Sequence, residues 1–373
     1  MNLALRELRR RPGRFAVATA VLAVLAVLLM FLGGLLDGLL SRSTGAYRAQ
    51  QADVIAYSST ARESLVRSRI DPELRTIVEA AAGVERVGGL GSIQLGARPG
   101  DEPDTRDLIG VALLGYELAP AGLPEEPPAD GTVVADSSIE AEGVAEGDIL
   151  LLGPRRTPVE VVGFVEDTGY AGQATLWASL ATWREVTAAN RPDKTFSEGA
   201  VQALVVRATD DADGADVADA IDEATGGATS SLTIDAAIEA LPGVSQQRST
   251  FNQIIGVTAV IALVVVALFF ALITVERTSL YGILKAVGGS SSTLFAGVVA
   301  QAVVISLVAS LLGVLSALAL DAVIPAGALP FQVTTTRLLT SVVLMVAAAI
   351  LGSAFSLRRV LRIDPAAAIG TAS

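Results

Sequence analysis

The 373-residue chain contains no cysteine and no histidine, and only 5% of it is aromatic. Without cysteine there is no disulfide framework, thiolate zinc site or thiol nucleophile. Without histidine there is no Ser-His-Asp triad, imidazole base or His-held haem iron. Lysine is almost missing too, because Lys194 and Lys285 stand alone and follow Asp193 and Leu284. A phosphate-binding loop needs Gly-Lys-Ser/Thr, so no nucleotide site is expected on this chain. Charge is sparse at 18%, and the net of −12 argues against a nucleic-acid partner.

What is present is apolar, 51% of the residues, and the charge is segregated. Residues 41–248 carry 16 Arg and Lys against 34 Asp and Glu, while the remainder carries 11 against 5. An acidic block inside a basic, apolar remainder describes a membrane protein with one soluble domain. From Phe15 to Leu36 run 22 residues without a charge. About 20 apolar residues cross the hydrocarbon core, and signal-peptide cores are shorter, so this is a full span. Further uncharged runs lie between Arg248 and Glu276, from Ala286 to Leu320, and from Leu338 to Leu357. In the third, Gly288 to Ser292 reads as a polar turn that leaves a span near Leu294 to Leu320.

Arginines set the direction. Arg6, Arg9, Arg10, Arg11 and Arg14 hold the N-terminus inside, Arg358, Arg359 and Arg362 the C-terminus, and Arg277 and Lys285 the loop between spans two and three. The expected fold is therefore an α-helical membrane protein of four transmembrane helices, with an extracytoplasmic α+β domain inserted between the first and second. The expected order is a cytoplasmic segment 1–14, a helix 15–40, the outer domain 41–248 and a helix 249–275. An inner segment 276–293, a helix 294–320, an outer loop 321–337, a helix 338–357 and an inner tail 358–373 follow. The location is the cell membrane, with the lipid bilayer as a partner.

Within the outer domain, Gly131 to Ala135, Ile149 to Leu152, Val159 to Phe164 and Val201 to Val206 read as strands, being rich in Val and Leu between turn residues. Pro72 to Ala82 and Ala215 to Ala224 have helical spacing, and Leu123 to Asp130, with three prolines, reads as a loop. The acidic runs at Glu125 and Glu126 and at Asp210, Asp211 and Asp213 read as a solvated face, since they lack the spacing of a calcium loop. No metal site is expected.

The inner segment Glu276-Arg277-Thr278-Ser279-Leu280-Tyr281-Gly282-Ile283-Leu284-Lys285-Ala286-Val287-Gly288 resembles the coupling segment of FtsX/MacB-type ABC permeases, whose pattern runs close to R-x-x-E-I-G-I-L-R-A-I-G. Leu280 and Tyr281 depart from the usual Glu-Ile. Asp364-Pro365-Ala366-Ala367-Ala368-Ile369 is similar to the family's ending, and the one-span, domain, three-span layout also fits. The resemblance implies that Arg277, Gly282, Ile283, Leu284 and Lys285 meet an ABC ATPase subunit. Three stretches resemble, within that family, the heme-efflux (HrtB-type) permeases of Gram-positive bacteria. They are Phe31 to Leu39, Glu166 to Ala171, and Pro325 to Thr335 around Leu329-Pro330-Phe331. That resemblance implies a homodimer with two ATPase subunits, ATP on the partner chain, no permanently bound cofactor, and heme as the substrate moved outward.

With no His or Cys, a haem iron could meet Met, Tyr or a carboxylate. Met30, Gly33, Gly34 and Asp37 share one helical face, with Met30 in the outer half of the bilayer. Met30 and Asp37 are thus candidate substrate residues, against a plainer reading in which Met30 fills a gap and Asp37 ends the helix. Gly34 and Gly38 have GxxxG spacing, which suits a homodimer seam. Tyr170, in a Gly-flanked loop, is a third candidate, against a role as a surface aromatic or a domain-contact residue; Tyr47 and Tyr57 read as interfacial belt residues. Two rival functions stay open. One is export or extraction of another amphiphile, such as a lipid, lipoprotein or peptide antibiotic; the other is ATP-driven signalling to a cell-wall hydrolase. An enzyme is not expected.

Overall fold

The computed structural model describes residues 12–101, 107–276, 291–324 and 329–360. It divides into a helical unit (Met1–Asp37, Arg248–Ile324, Phe331–Ser373) and an inserted unit (Gly38–Gln247, Pro325–Pro330).

Among the described residues four helices are long and apolar enough to cross a membrane: Pro12–Arg48, Val244–Glu276, Ser291–Val323 and Thr335–Val360. Their buried positions recur every three to four residues. Phe15, Leu22, Ala26 and Leu29 on the first helix belong to one buried cluster with Ala262, Val266, Phe270 and Ile273 on the second. Val298, Ala302, Ile305 and Ala309 on the third and Met345, Ala348 and Ala349 on the fourth complete this core. Small residues set the close approaches. A Cβ on Gly352 would lie 2.6 Å from the Leu263 carbonyl oxygen, and one on Gly313 2.9 Å from the Ala26 Cβ. Outward faces such as Val257, Leu268, Leu311 and Val343 remain apolar and exposed, as lipid contact requires.

The helices run past the apolar stretches that define them. The first holds 37 residues, about 55 Å at 1.5 Å per residue, so Asp37 lies inside it rather than ending it. Ser291 and Ser292, expected in a turn, open the third helix.

The inserted unit is mixed α/β. Its strands are β1 (Val54–Ser58), β2 (Val84–Pro99), β3 (Ile109–Tyr116), β4 (Thr132–Asp136), β5 (Ile149–Leu152), β6 (Thr157–Val165), β7 (Ala174–Ser179), β8 (Ala203–Ala208) and β9 (Thr229–Thr233). The sheet order is β3-β7-β4-β6-β5-β2-β8-β1-β9, and β2 also pairs with β3, so six strands close on themselves. Among the described residues β3–β7 and β4–β6 pair in parallel and the other pairs are antiparallel. The alternation expected of a half-buried strand is plain in β6, where Val159 and Val161 are buried and Pro158, Glu160 and Val162 are not. Helix Leu180–Asn190 starts where the Ser179 side chain accepts from the Thr182 amide, and helix Gly214–Ala224 where Asp213 accepts from Ala215. Glu125, Glu126, Asp210, Asp211 and Asp213 are exposed, and no cluster fit for a metal occurs among the described residues.

Candidate functional site

In the helical unit the outer half of the first helix carries a short segment of the same chain, Phe331–Arg337. The two glycines make the fit possible. A Cβ on Gly33 would stand 2.9 Å from Arg337 Cγ, and one on Gly34 2.5 Å from Phe331 Cε2. The Phe331 ring stacks on Phe31 with centroids 5.6 Å apart, and the Gln332 amide donates to the Gly34 carbonyl at 3.1 Å. Asp37 completes the contact. Arg337 Nη2 donates to its Oδ1 at 2.5 Å, Arg337 Nε to its Oδ2 at 3.1 Å, and the Thr334 hydroxyl to the same Oδ2 at 3.0 Å. Thr334 also accepts from the Arg337 amide, so it caps the fourth helix while it donates to the carboxylate. Asp37 therefore sits at the positive end of that helix as well as in a bidentate ion pair. Its side chain is 16% exposed and that of Arg337 26%.

Met30 lies elsewhere on the same helix. It is 2% exposed, with its Sδ 3.1 Å from where a Gly313 Cβ would stand on the third helix. The expected face of Met30, Gly33, Gly34 and Asp37 is thus divided: three residues meet Phe331–Arg337, and Met30 meets the third helix. Gly38 is buried.

In the inserted unit the continuation of this helix carries the loop 166–172. The Gly169 carbonyl accepts from the Ala46 amide at 3.0 Å, Ala171 N donates to Ser43 O at 3.1 Å, and Gly172 N donates to Arg42 O at 3.0 Å. Gly45 admits the loop, since a Cβ there would lie 2.5 Å from the Asp167 carbonyl oxygen. Asp167 takes Arg48 at 2.8 Å and the Ser41 hydroxyl, and it adopts a left-handed backbone (φ 60°), as does Ala171 (φ 51°). Thr168 anchors the loop from below, donating through both its amide and hydroxyl to the buried Asp136.

Tyr170 is 5% exposed and stacks on Tyr47 almost in parallel, 5.8 Å between centroids. Burial raises its pKa above the ordinary tyrosine value, and a hydrogen bond with Tyr47 partly opposes the shift. Tyr57 donates to the Tyr47 hydroxyl at 3.0 Å. The belt reading of Tyr47 and Tyr57 is therefore corrected: both are wholly buried in the domain core beside Trp177 and Tyr116, because each hydroxyl finds a partner there. The inner-segment candidates Arg277, Gly282, Ile283, Leu284 and Lys285 lie outside the described residues.

Arg337 is the residue that sequence reading missed. It borders the fourth apolar run, at the end of the expected loop 321–337. The signal was an arginine that is the one basic residue in 321–337, at the edge of an apolar run, where it needs an anionic partner.

Residues 15–224 match the family described as MacB-like periplasmic core domain, and residues 252–365 match FtsX-like permease C-terminal. The chain belongs to the FtsX/MacB type of ABC transporter permease. It is a membrane protein with four candidate membrane helices and an extracytoplasmic α/β domain between the first two; permeases of this family are not themselves enzymes and work with a separate ATPase. Over 382 residues it is 20% identical to a Staphylococcus epidermidis protein bearing the name hemin transport system permease HrtB, 99% of each chain being covered. A Staphylococcus haemolyticus protein of the same name is 30% identical over 111 residues, 30% of this chain and 31% of that one. Solved structures with a similar domain include the periplasmic region of MacB from Actinobacillus actinomycetemcomitans (12% identity, 51% of this chain, 92% of that one, TM-score 0.35). The extracellular domain of the ABC-type transporter YknZ is another (12%, 48% and 98%, TM-score 0.33).

Proposed function

We propose that this permease exports heme outward from the membrane, as a homodimer driven by two ATPase subunits, with both termini cytoplasmic. The observation that carries the reading is the end-to-end likeness to the hemin transport permease, 99% of both chains. It is supported by the location of the three stretches that resemble heme-efflux permeases. Phe31 to Asp37 and Phe331 to Thr335 meet each other, and Glu166 to Ala171 docks on residues 41–48 of the same helix.

Of the three candidate substrate residues, Asp37 is the one we assign to the cargo. Its carboxylate is a hard oxygen donor for ferric iron, partly exposed at the outer end of an apolar span. Met30 and Tyr170 we assign to packing, because Gly313 covers the first and Tyr47 the second. The docking of Ile283 and Leu284 on the ATPase belongs to the same proposal.

The test is hemin tolerance of cells and the Soret spectrum of the purified complex, for the parent and for Asp37→Asn, Met30→Leu and Tyr170→Phe. Met30→Leu keeps volume and apolarity, so it should cost less than about 1.5 kcal/mol and leave export intact. Asp37→Asn should lose tolerance. Full tolerance in Asp37→Asn removes that residue from the cargo site. A parent complex that binds no hemin removes heme, and another amphiphile takes its place.

A further inference from the structure

We propose that Phe331–Arg337 is a strap over the glycine face of the first helix, fastened by the Asp37–Arg337 pair, and that the cargo reaches Asp37 only when the strap lifts. The part concerning cargo rests on the function proposed above; the strap itself rests on the contacts.

Three observations point to a fastening rather than to ordinary helix packing. The first is that the covered face is cut to receive the strap. Cβ atoms on Gly33 and Gly34 would stand against the Arg337 methylenes and the Phe331 ring at separations no packed Cβ adopts. Second, the strap before the fourth helix has no regular structure of its own from Phe331 to Thr334. Its backbone hydrogen bond goes across to the first helix, from Gln332 N to Gly34 O. Residues 331–333 can leave without unravelling a helix or sheet, while Thr334 and Arg337, at the start of the fourth helix, release Asp37 by side-chain movement alone. Third, the polar contacts gather at one carboxylate, which accepts two guanidinium hydrogen bonds and one hydroxyl. Releasing that single group frees the whole end of the strap.

The same contacts explain why Asp37 is closed to a ligand as it stands. Both of its oxygens are taken, so an incoming iron or cation competes with a bidentate guanidinium. A substrate with its own carboxylates has a way through the exchange. It offers Arg337 a replacement anion while Asp37 turns to the substrate, and no charge is left unpaired in a half-buried site. The Phe31–Phe331 stack opens in the same movement and gives a flat ring two aromatic faces.

The chain has no cysteine, so paired cysteines report cleanly. One pair, Phe31→Cys with Phe331→Cys, is joined in the full permease–ATPase complex and keeps both Asp37 and Arg337. A single variant, Gln332→Cys, reports exposure of the strap through its rate of labelling by an impermeant thiol reagent, so a folding defect in the pair leaves it informative. A short bifunctional methanethiosulfonate should join the pair readily without nucleotide and several-fold less in the vanadate-trapped complex, where Gln332→Cys should label several-fold faster. The joined complex should lose export and regain it on reduction. Equal joining in both states, or export by the joined complex at the reduced rate, overturns the strap. Hemin tolerance conferred by the parent is read in parallel. If the parent confers none, the heme reading falls while the joining yields still decide the strap.

Discussion

Gly45→Ala tests whether loop 166–172 is held on the first helix by the absence of one methyl group. Gly45 is helical and buried, so alanine gains about 1 kcal/mol of helix propensity. Against that, the new Cβ would lie 2.5 Å from Asp167 O, 2.7 Å from Gly169 N and 2.9 Å from Thr168 C. All three are backbone atoms, so no side-chain rotation relieves the clash. The helix is the stiffer partner, and the loop already holds Asp167 and Ala171 at positive φ, so the loop is what moves. Overpacking of this kind costs about 1–3 kcal/mol, and retreat of the loop weakens three backbone hydrogen bonds, each worth about 1 kcal/mol. The Arg48–Asp167 bridge offsets little, because both side chains are about 40% exposed. The net is a loss of about 2–4 kcal/mol in loop docking. Hydrogen exchange on the full chain in detergent should show it: protection at Ala171 and Gly172 falls by about tenfold or more, while β7 is unaffected. Unchanged protection at those two amides would refute the reasoning.

Other expectations follow from the same contacts. Burial lifts the Tyr116 pKa to about 12 and raises that of Tyr57 as well. Their folded values exceed the unfolded value of about 10, so the stability they contribute is complete below about pH 10 and is lost as pH rises through the folded values. Tyrosinate absorbance should rise together with unfolding rather than before it; an early, separate rise for these two would contradict their burial. If Ile283 and Leu284 dock on the ATPase as proposed, replacing both with Asp costs several kcal/mol of docking and should uncouple ATP hydrolysis from export while the chain still inserts. Retained export removes that segment from the coupling. A cysteine at Ser138 should react with an impermeant thiol reagent in intact cells and one at Ser291 should not, and the reverse pattern inverts the topology.

Charge segregation and uncharged runs made the membrane helices and the inserted domain legible, because lipid admits so few alternatives. Val and Leu between turn residues also made β4, β5, β6 and β8 plain, and β5 has the bounds its composition suggests, whereas the apolar β1, β3 and β7 were not picked out. The longest strand, β2, was not read from the sequence. Its Gly88, Gly89, Gly91 and Gly96 look like breakers, yet they are there because bulky neighbours press on the strand. The Trp183 indole would overlap a Cβ at Gly91, and Leu118 would lie 2.7 Å from one at Gly88. Only tertiary packing reveals that reason. β9, Thr-Ser-Ser-Leu-Thr, is too polar to be recognised and is held by β1 along its whole length.

Sequence motifs marked two stretches that pack together in the helical unit, but not their pairing. Phe31 to Leu39 and Pro325 to Thr335 were singled out separately, and nothing in a linear reading joins Asp37 to Arg337 across 300 residues. The GxxxG spacing of Gly34 and Gly38 shows the consequence. Small residues at that spacing allow a second helix to approach, which is why they suggest a dimer seam. Yet Gly34 is already covered by Phe331 of its own chain, at a separation only glycine permits. A partner helix, a cargo ring and the strap would all draw on this one surface, and two of them cannot occupy Gly34 together. If the dimer seam runs through Gly34, it forms in the state where the strap has lifted. Strap release, subunit approach and the freeing of Asp37 would then be one event.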